Sequence, residues 1–378
     1  MNIVILGAGP AGLYFAYLMK RSWPAYSVRV IEQNPAHATF GFGVVLSGRA
    51  LSFLAEGDPA AIARLTASMQ TWSEQHIIHR GELVAIDGSS YGAISRIGLL
   101  RELQSLCTGA GVQIEFNHRV HDEAELGACD VLVAGDGANS LIRDRHAQVL
   151  GTRAIDLQNH FAWYGVERPY DAHSLTFKST AAGVFVGHHY RYTSSMSTFV
   201  AETDAATWER SGMEAMDEDA RRDYAQAVFA DTLGGKPLIS NNSVWKRWRL
   251  VKNERWHHSN IVLIGDALRT AHPSIGSGTR LAMEDSIALW RAFSGEGENV
   301  AAAFERYERE RRPVRDRLNQ AGEKSIAWYE AMAQKMKLAP YDFVHDYLLR
   351  TGVMTEERLA RESPGFVQRY AQHRKGMA

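Results

Sequence analysis

The stretch "NIVILGAGPAGLYFAYLMKRSWPAYSVRVIEQN", Asn2 to Asn34, decides how the rest of the chain is read. Ile3-Val4-Ile5-Leu6 is a short apolar run of the kind that forms a buried strand. Gly7, Gly9 and Gly12 follow as G-x-G-x-x-G, with Pro10 and Ala11 inside the turn, and an apolar helical pattern continues through Leu13, Phe15, Ala16 and Leu18. A second strand, Val28 to Ile31, ends at Glu32. Strand, glycine turn, helix, strand and terminal acid make a complete βαβ dinucleotide fingerprint. The first two glycines allow a tight turn against a pyrophosphate, the third allows close helix–strand packing, and Glu32 stands where it can accept hydrogen bonds from a ribose.

An acid at the end of the second strand favours an adenosine ribose without a 2′-phosphate, which FAD and NAD share. Asn260 to Asp266, "NIVLIGD", adds another strand and acid far downstream. That placement suits a long cofactor whose far half needs its own site. The following "GSGT", Gly276, Ser277, Gly278 and Thr279, leads into a helical pattern, so a helix N-terminus with free N–H groups faces something anionic or strongly accepting.

Composition bounds the alternatives. The 378 residues exceed what one core comfortably holds, which predicts two intimately packed domains. Lys plus Arg number 42 against 43 Asp plus Glu, so nothing points to nucleic acid. Two cysteines, Cys107 and Cys129, without metal-ligand spacing argue against a disulfide framework or a metal site, and suit core positions in a cytoplasmic protein. The apolar N-terminus lacks a basic leader and no run approaches membrane-spanning length, so no membrane association is expected.

Three separated motifs give the chain its resemblance to the single-component FAD-dependent aromatic hydroxylases, the group A flavoprotein monooxygenases. They are "GAGPAG" with Glu32, "DVLVAGDGANSLIR" from Asp130 to Arg143, and "GDALRTAHPSIGSG" from Gly265 to Gly278. The resemblance implies an α/β (α+β) fold: a Rossmann-like FAD-binding domain, an inserted and mostly antiparallel substrate-domain sheet, and a helical C-terminal region. It implies that Asp136, in the D-G motif, serves FAD and nicotinamide binding, that Asp266 binds the flavin ribitol, and that Gly276 to Thr279 present N–H groups to the isoalloxazine ring. Arg96, in "SRIGLLREL", would reach the cofactor's phosphate side, and Arg49, in "FGFGVVLSGRA", would lie in a loop near the flavin. His272 and Pro273, in the loop beside the ring, are the catalytic candidates, with a backbone-capping role for His272 as the alternative.

The implied reaction is reduction of FAD by NADH or NADPH, capture of O2 as a flavin C4a-hydroperoxide, and transfer of one oxygen to an electron-rich aromatic ring. No protein nucleophile is then needed. Within the family, "FGFGVVLSGRAL" and "AHPSIGSGTRLAMEDSIAL" are similar to the hydroxylases of salicylyl-CoA and 2-aminobenzoyl-CoA, with Pro273 where an aromatic is usual and Arg280 for a lysine. The G-V-V-L, S-I-G and "MSTF" elements are shared with protodeoxyviolaceinate monooxygenase, which keeps an indole-type substrate open. The expected partner is a small aromatic molecule, including a CoA thioester, whose phosphates Lys246, Arg247, Arg249 and Lys252 could meet if they are more than an ordinary basic strand. A non-hydroxylating reductase or a non-catalytic flavin-binding protein would carry the same flavin motifs. The halogenase signature W-x-W-x-I-P is absent.

Residues 1–75, 90–160 and 255–320 are expected to form a discontinuous FAD domain, residues 76–89 and 161–254 the substrate sheet, and residues 321–378 a helical region that covers the pocket or mediates dimerisation, with monomer and homodimer both open. Alternating segments between Phe161 and Glu202 read as strands. The charge run of "FERYERERRPVRD", Phe304 to Asp316, reads as a solvated helix face.

Overall fold

The computed structural model describes residues 1–39, 41–276 and 278–376, excluding the side chain of Arg49. Its first layer is a six-stranded sheet in the order Gln113–Glu115, Ser27–Ile31, Asn2–Leu6, Val131–Ala134, Ile261–Leu263, His257–His258. All neighbours are parallel except the last pair. The central strands are near-continuous Val/Ile/Leu runs because both faces are covered, as parallel sheets require. Helix Pro10–Ser22 is buried from Ala11 to Met19 between this sheet and its neighbours, and the helix Gly278–Glu296 packs against it.

Register brings the motifs together. Leu6 pairs with Ala134, and Ala134 pairs with Leu263. The three strands therefore end level, and Gly7, Gly135-Asp136 and Gly265-Asp266 emerge side by side at the carboxyl edge, where open α/β sheets bind ligands.

The second layer is a mostly antiparallel eight-stranded sheet. It contains Arg153–Val166, His173–Ser179, Val184–Arg191 and Ser197–Thr203, in keeping with the alternating sequence pattern, and is extended by Gln75–His79 and Glu82–Ile86. One face buries Tyr164, Phe185 and Phe199 against Trp208 and Phe229. The other buries Leu175, Phe177 and Val186 beneath Trp328, Tyr329, Phe343 and Tyr347, so the C-terminal helices lie on the sheet. Strand Arg153–Val166 and helix Val300–Glu330 run unbroken across positions 160/161 and 320/321. Cys107 is a core residue whose thiol donates to Leu13 O at 3.1 Å, and burial pushes its pKa up to about 12; Cys129 is half-buried. Among the described residues no helix is long and apolar enough to cross a membrane.

Candidate active site

The glycines at the strand ends divide into two kinds. Gly7 has φ 101°, and a Cβ there would lie 2.5 Å from Gly135 O; a Cβ on Gly12 would collide with Gly7 O; one on Gly265 (φ 60°) would press on Ala11 and Ala282 at 3.2 and 3.3 Å. These three permit close packing of one loop on another. At Gly9, Gly137, Gly276 and Gly278 a Cβ would meet nothing within 4 Å, so their backbone borders open space.

Helix Pro10–Ser22 points its N-terminus into that space. Gly9 caps it without a side-chain acceptor, Pro10 opens it, and its first turn holds no acid, which leaves the orphan N–H groups and the positive dipole end to a ligand. Glu32 stands at the end of its strand and is held there: Ala8 N–H donates to Oε2 at 2.9 Å, and Asn34 donates to Oε1 from its main chain and side chain at 2.9 and 2.7 Å.

Both motif aspartates face the same opening. Asp136 accepts from Leu141 N–H at 2.7 Å through Oδ2, while its buried Oδ1 has no partner among the described residues, and burial lifts its carboxyl above the usual range. Burial also lifts Asp266, opposed by the cations Arg315 and Arg96. Arg96, pulled down by burial, feels the opposite charge of Asp266, with no ion pair joining the two within 4.0 Å.

Beneath Asp266 lies a buried ionic network that corrects the solvated-face expectation for residues 304–316 at Arg311 and Arg315, while Glu305, Arg309 and Glu310 of the same run are exposed. Arg311 and Arg315 are 4 % and 1 % exposed. Asp285 accepts from Arg311 Nε at 2.8 Å, Arg315 Nη2 at 2.6 Å and Gly265 N–H at 3.2 Å, while Glu284 pairs with Arg280 and Arg311. Arg315 also donates to Gly265 O at 3.3 Å, so the network grips Gly265 through both its N–H and its C=O. The available signal was two acids inside the apolar run "LAMEDSIAL" and two arginines four residues apart.

Facing these loops, the eight-stranded sheet and the C-terminal helices build an aromatic and histidine-rich wall. His188 Nε2 lies 3.0 Å from Glu202, a carboxylate with no exposed surface whose other oxygen accepts from Asn159 at 2.8 Å. His173 is pushed down to about 3 by burial, assisted by His188 and Arg350. Tyr190 donates to Gly43 O at 2.9 Å, tying the Gly41–Gly43 loop to the sheet. His188 stood out in the sequence as one of a histidine pair, whereas Glu202, Tyr329 and Arg350 are marked by nothing local.

His272 caps the short turn Pro273–Ile275, its Nδ1 accepting from Ser274 N–H at 3.3 Å. Burial, with His188 and Arg350, pushes it down to about 3, so the ring is neutral near neutrality and cannot act there as an imidazolium acid. Pro273 supplies the first residue of that turn; Gly276 ends it at φ 55°, and Thr279 falls in the first turn of helix Gly278–Glu296. Ser277 and the Arg49 side chain lie outside the described residues. Lys246, Arg247 and Arg249 are exposed on strand Lys246–Lys252, with Arg247 3.9 Å from Asp156 and Lys252 paired to Glu323, an arrangement that gathers no anion site. A groove of about 580 Å³ among Arg255, His257, His258 and Arg312 contains none of the motif residues. Among the described residues no group of His, Cys, Asp or Glu could hold a metal ion.

Residues 1–321 match the model of the FAD binding domain family. The chain is 35% identical over 379 residues to salicyloyl-CoA 5-hydroxylase of Streptomyces sp, covering 98% of this chain and 73% of that one. It is 30% identical to protodeoxyviolaceinate monooxygenase of Chromobacterium violaceum, over 92% and 94% of the two chains. It is 33% identical to 3-hydroxy-4-methyl-anthranilyl-[aryl-carrier protein] 5-monooxygenase of Streptosporangium sibiricum, over 97% and 99%. The fold matches a crystal structure of 2-methyl-3-hydroxypyridine-5-carboxylic acid oxygenase with a TM-score of 0.71 at 17% identity, over 96% and 95% of the chains.

Proposed function

The chain belongs to the FAD binding domain family, among its FAD-dependent aromatic monooxygenases, and on that premise we propose that it hydroxylates the ring of an aromatic acyl thioester. The support for the cofactor half is the division of the glycines: those that border open space lie in the same motifs as two aspartates that have no ion-pair partner among the described residues, beside the end of a helix that lacks an acid. Those residues fit FAD. Gly7 to Gly12, with Pro10 and Ala11, would take the pyrophosphate, Glu32 a ribose, Asp266 the ribitol, and Arg96 and Asp136 the ground between. Gly276 to Thr279 would offer N–H groups to the ring.

Bound FAD, reduced by NADH or NADPH, would supply the activation of O2 and the delivery of one oxygen atom. The chain's own part is to bind, orient and exclude water. The helix Gly278–Glu296 directs its positive end at developing negative charge. The aromatic wall of Phe161, Tyr91, Tyr190 and Tyr329 keeps the ring and its oxidant from water.

The substrate half is supported by two relatives named for an aryl-acyl group carried on coenzyme A or on a carrier protein. Both carriers hold the acyl group as a thioester. The relative from Chromobacterium violaceum favours the second reading, an indole-type ring.

The test is NADH and NADPH oxidation by the FAD-loaded protein under air, with 2-hydroxybenzoyl-CoA, free 2-hydroxybenzoate and tryptophan supplied separately. Stimulation by the thioester with a product one oxygen heavier is expected. Oxygenation of the indole alone would replace the thioester reading, and oxidation without any oxygenated product would remove it.

A further inference from the structure

One hydrogen-bonded chain joins the C-terminal helices to the loop before Gly276. Arg350, capping the helix Pro340–Leu349, donates from Nε to Ser325 Oγ at 3.1 Å, from Nη1 to Tyr347 O at 2.8 Å and from Nη2 to Ser274 O at 3.0 Å. Its guanidinium stacks 3.7 Å from the centre of the Tyr347 ring and has no carboxylate partner among the described residues. Ser325 Oγ lies 2.8 Å from Ser274 Oγ, which lies 2.7 Å from His272 Nδ1. All three residues are buried.

The direction of this chain follows from its ends. A guanidinium can only donate, so Ser325 Oγ accepts from Arg350 and has its own proton to give to Ser274 Oγ, which in turn gives its proton to Nδ1. The Ser274 amide, also aimed at Nδ1, makes the same demand independently. Hydrogen positions are thereby assigned through the network, and the ring proton belongs on Nε2. That atom has no hydrogen-bond partner among the described residues, whose bonds to this ring all go to Nδ1. The ring meets Phe161 edge-on at 5.5 Å and lies 6.5 Å from Tyr329, at the seam between the glycine loop and the aromatic wall.

We propose that His272 is a fixed hydrogen-bond donor, through Nε2–H, to the carbonyl oxygen of the substrate's acyl thioester, with Ser274, Ser325 and Arg350 as positioning residues. The inference rests on the thioester reading above. A single neutral N–H matches an uncharged carbonyl. A free carboxylate would call for paired charged donors, and three of the Arg350 N–H groups are already engaged by neutral protein acceptors.

The experiment measures binding of 2-hydroxybenzoyl-CoA and of its thioether analogue, with CH2 in place of the carbonyl, by perturbation of the flavin absorbance in the FAD-loaded protein without oxygen. The unaltered protein should favour the thioester by about tenfold. His272→Phe should bind both alike, and His272→Gln, which restores an N–H, should recover the preference. In spectra of the protein with 15N-labelled histidine, the signals lost in His272→Phe should report a protonated Nε2 and a bare Nδ1. Retention of the full preference in His272→Phe, or the opposite tautomer, overturns the inference while leaving the thioester reading intact. An unaltered protein that binds neither probe removes the thioester reading and the inference with it.

Discussion

The loops at the carboxyl edge of the parallel sheet and the wall of the eight-stranded sheet face each other, yet they are made of different material. The loops are built of main chain: absent Cβ atoms, a left-handed turn and a helix start without a side-chain cap within a few residues of one another. The wall works through side chains drawn from remote segments, Asn159, His188, Glu202, Tyr329 and Arg350 among them. A site made of main chain tolerates little change in residue type but is written locally. A site made of side chains can be re-specified one residue at a time, which suits a family whose relatives are named for different aromatic substrates.

The largest effect is expected where side chains hold the loops up. Asp285→Ala leaves Arg315, 1 % exposed, without its carboxylate and should cost about 3–5 kcal/mol of stability, read by denaturant unfolding. A loss below about 1 kcal/mol would mean that the Gly265 turn stands without the network.

The paired substitutions Gly7→Ala and Gly9→Ala sharpen the contrast between loops and wall next. Gly7→Ala combines φ 101° with a Cβ 2.5 Å from Gly135 O and should destabilise the FAD-free protein by about 2–4 kcal/mol. Gly9→Ala should leave the FAD-free protein within about 1 kcal/mol of the original and weaken FAD retention. Equal melting losses in the two would erase the distinction between packed and open glycines.

The wall has its own acid signature. His173 and His272 titrate at about 3 in the fold against an ordinary value of 6.5. Below 6.5 the unfolded chain binds protons that these buried rings refuse, so each contributes stability that is present above 6.5 and falls as the pH drops towards 3. The slope is at most about 1.4 kcal/mol per pH unit for each ring. Chemical unfolding between pH 7 and 4 should show this slope, reduced by about one proton in His173→Gln. An unchanged slope would place the acid sensitivity elsewhere.

The smallest effect is expected at the basic strand. Arg247→Ala should leave stability within about 0.5 kcal/mol and leave 2-hydroxybenzoyl-CoA binding unchanged. A tenfold loss of binding would make this strand a CoA phosphate site after all.

The three flavin motifs were legible because each is a short-range conflict that few residue types resolve. Gly12 must let a helix sit on a strand, and Asp266 must follow an apolar strand into a turn; such demands leave their mark within ten residues. The strands from Phe161 to Glu202 were legible from short runs of aromatic and β-branched residues bounded by turn residues, although both faces of their sheet are packed. Within the run from Phe304 to Asp316, Glu305, Arg309 and Glu310 are solvated as charge usually is, and the two buried arginines were hidden among them. Arg311 and Arg315 lie on one face of their helix, but only its packing on helix Gly278–Glu296 meets them with Glu284 and Asp285. His272 was visible as a loop histidine; its tautomer depends on Ser325 and Arg350, 53 and 78 residues downstream.

By itself, then, the sequence determined the βαβ fingerprint, the order of the three motifs, the strand-rich insertion and the helical tail, because main-chain geometry and periodic burial act over a few neighbouring residues. Tertiary structure alone decided which strand ends stand level, which arginines are buried, which carboxylate holds His188 and which ring nitrogen of His272 carries the proton. Those depend on distances between segments far apart in the chain, and a side chain's charge and hydrogen-bonding role follow from the partners that folding brings to it.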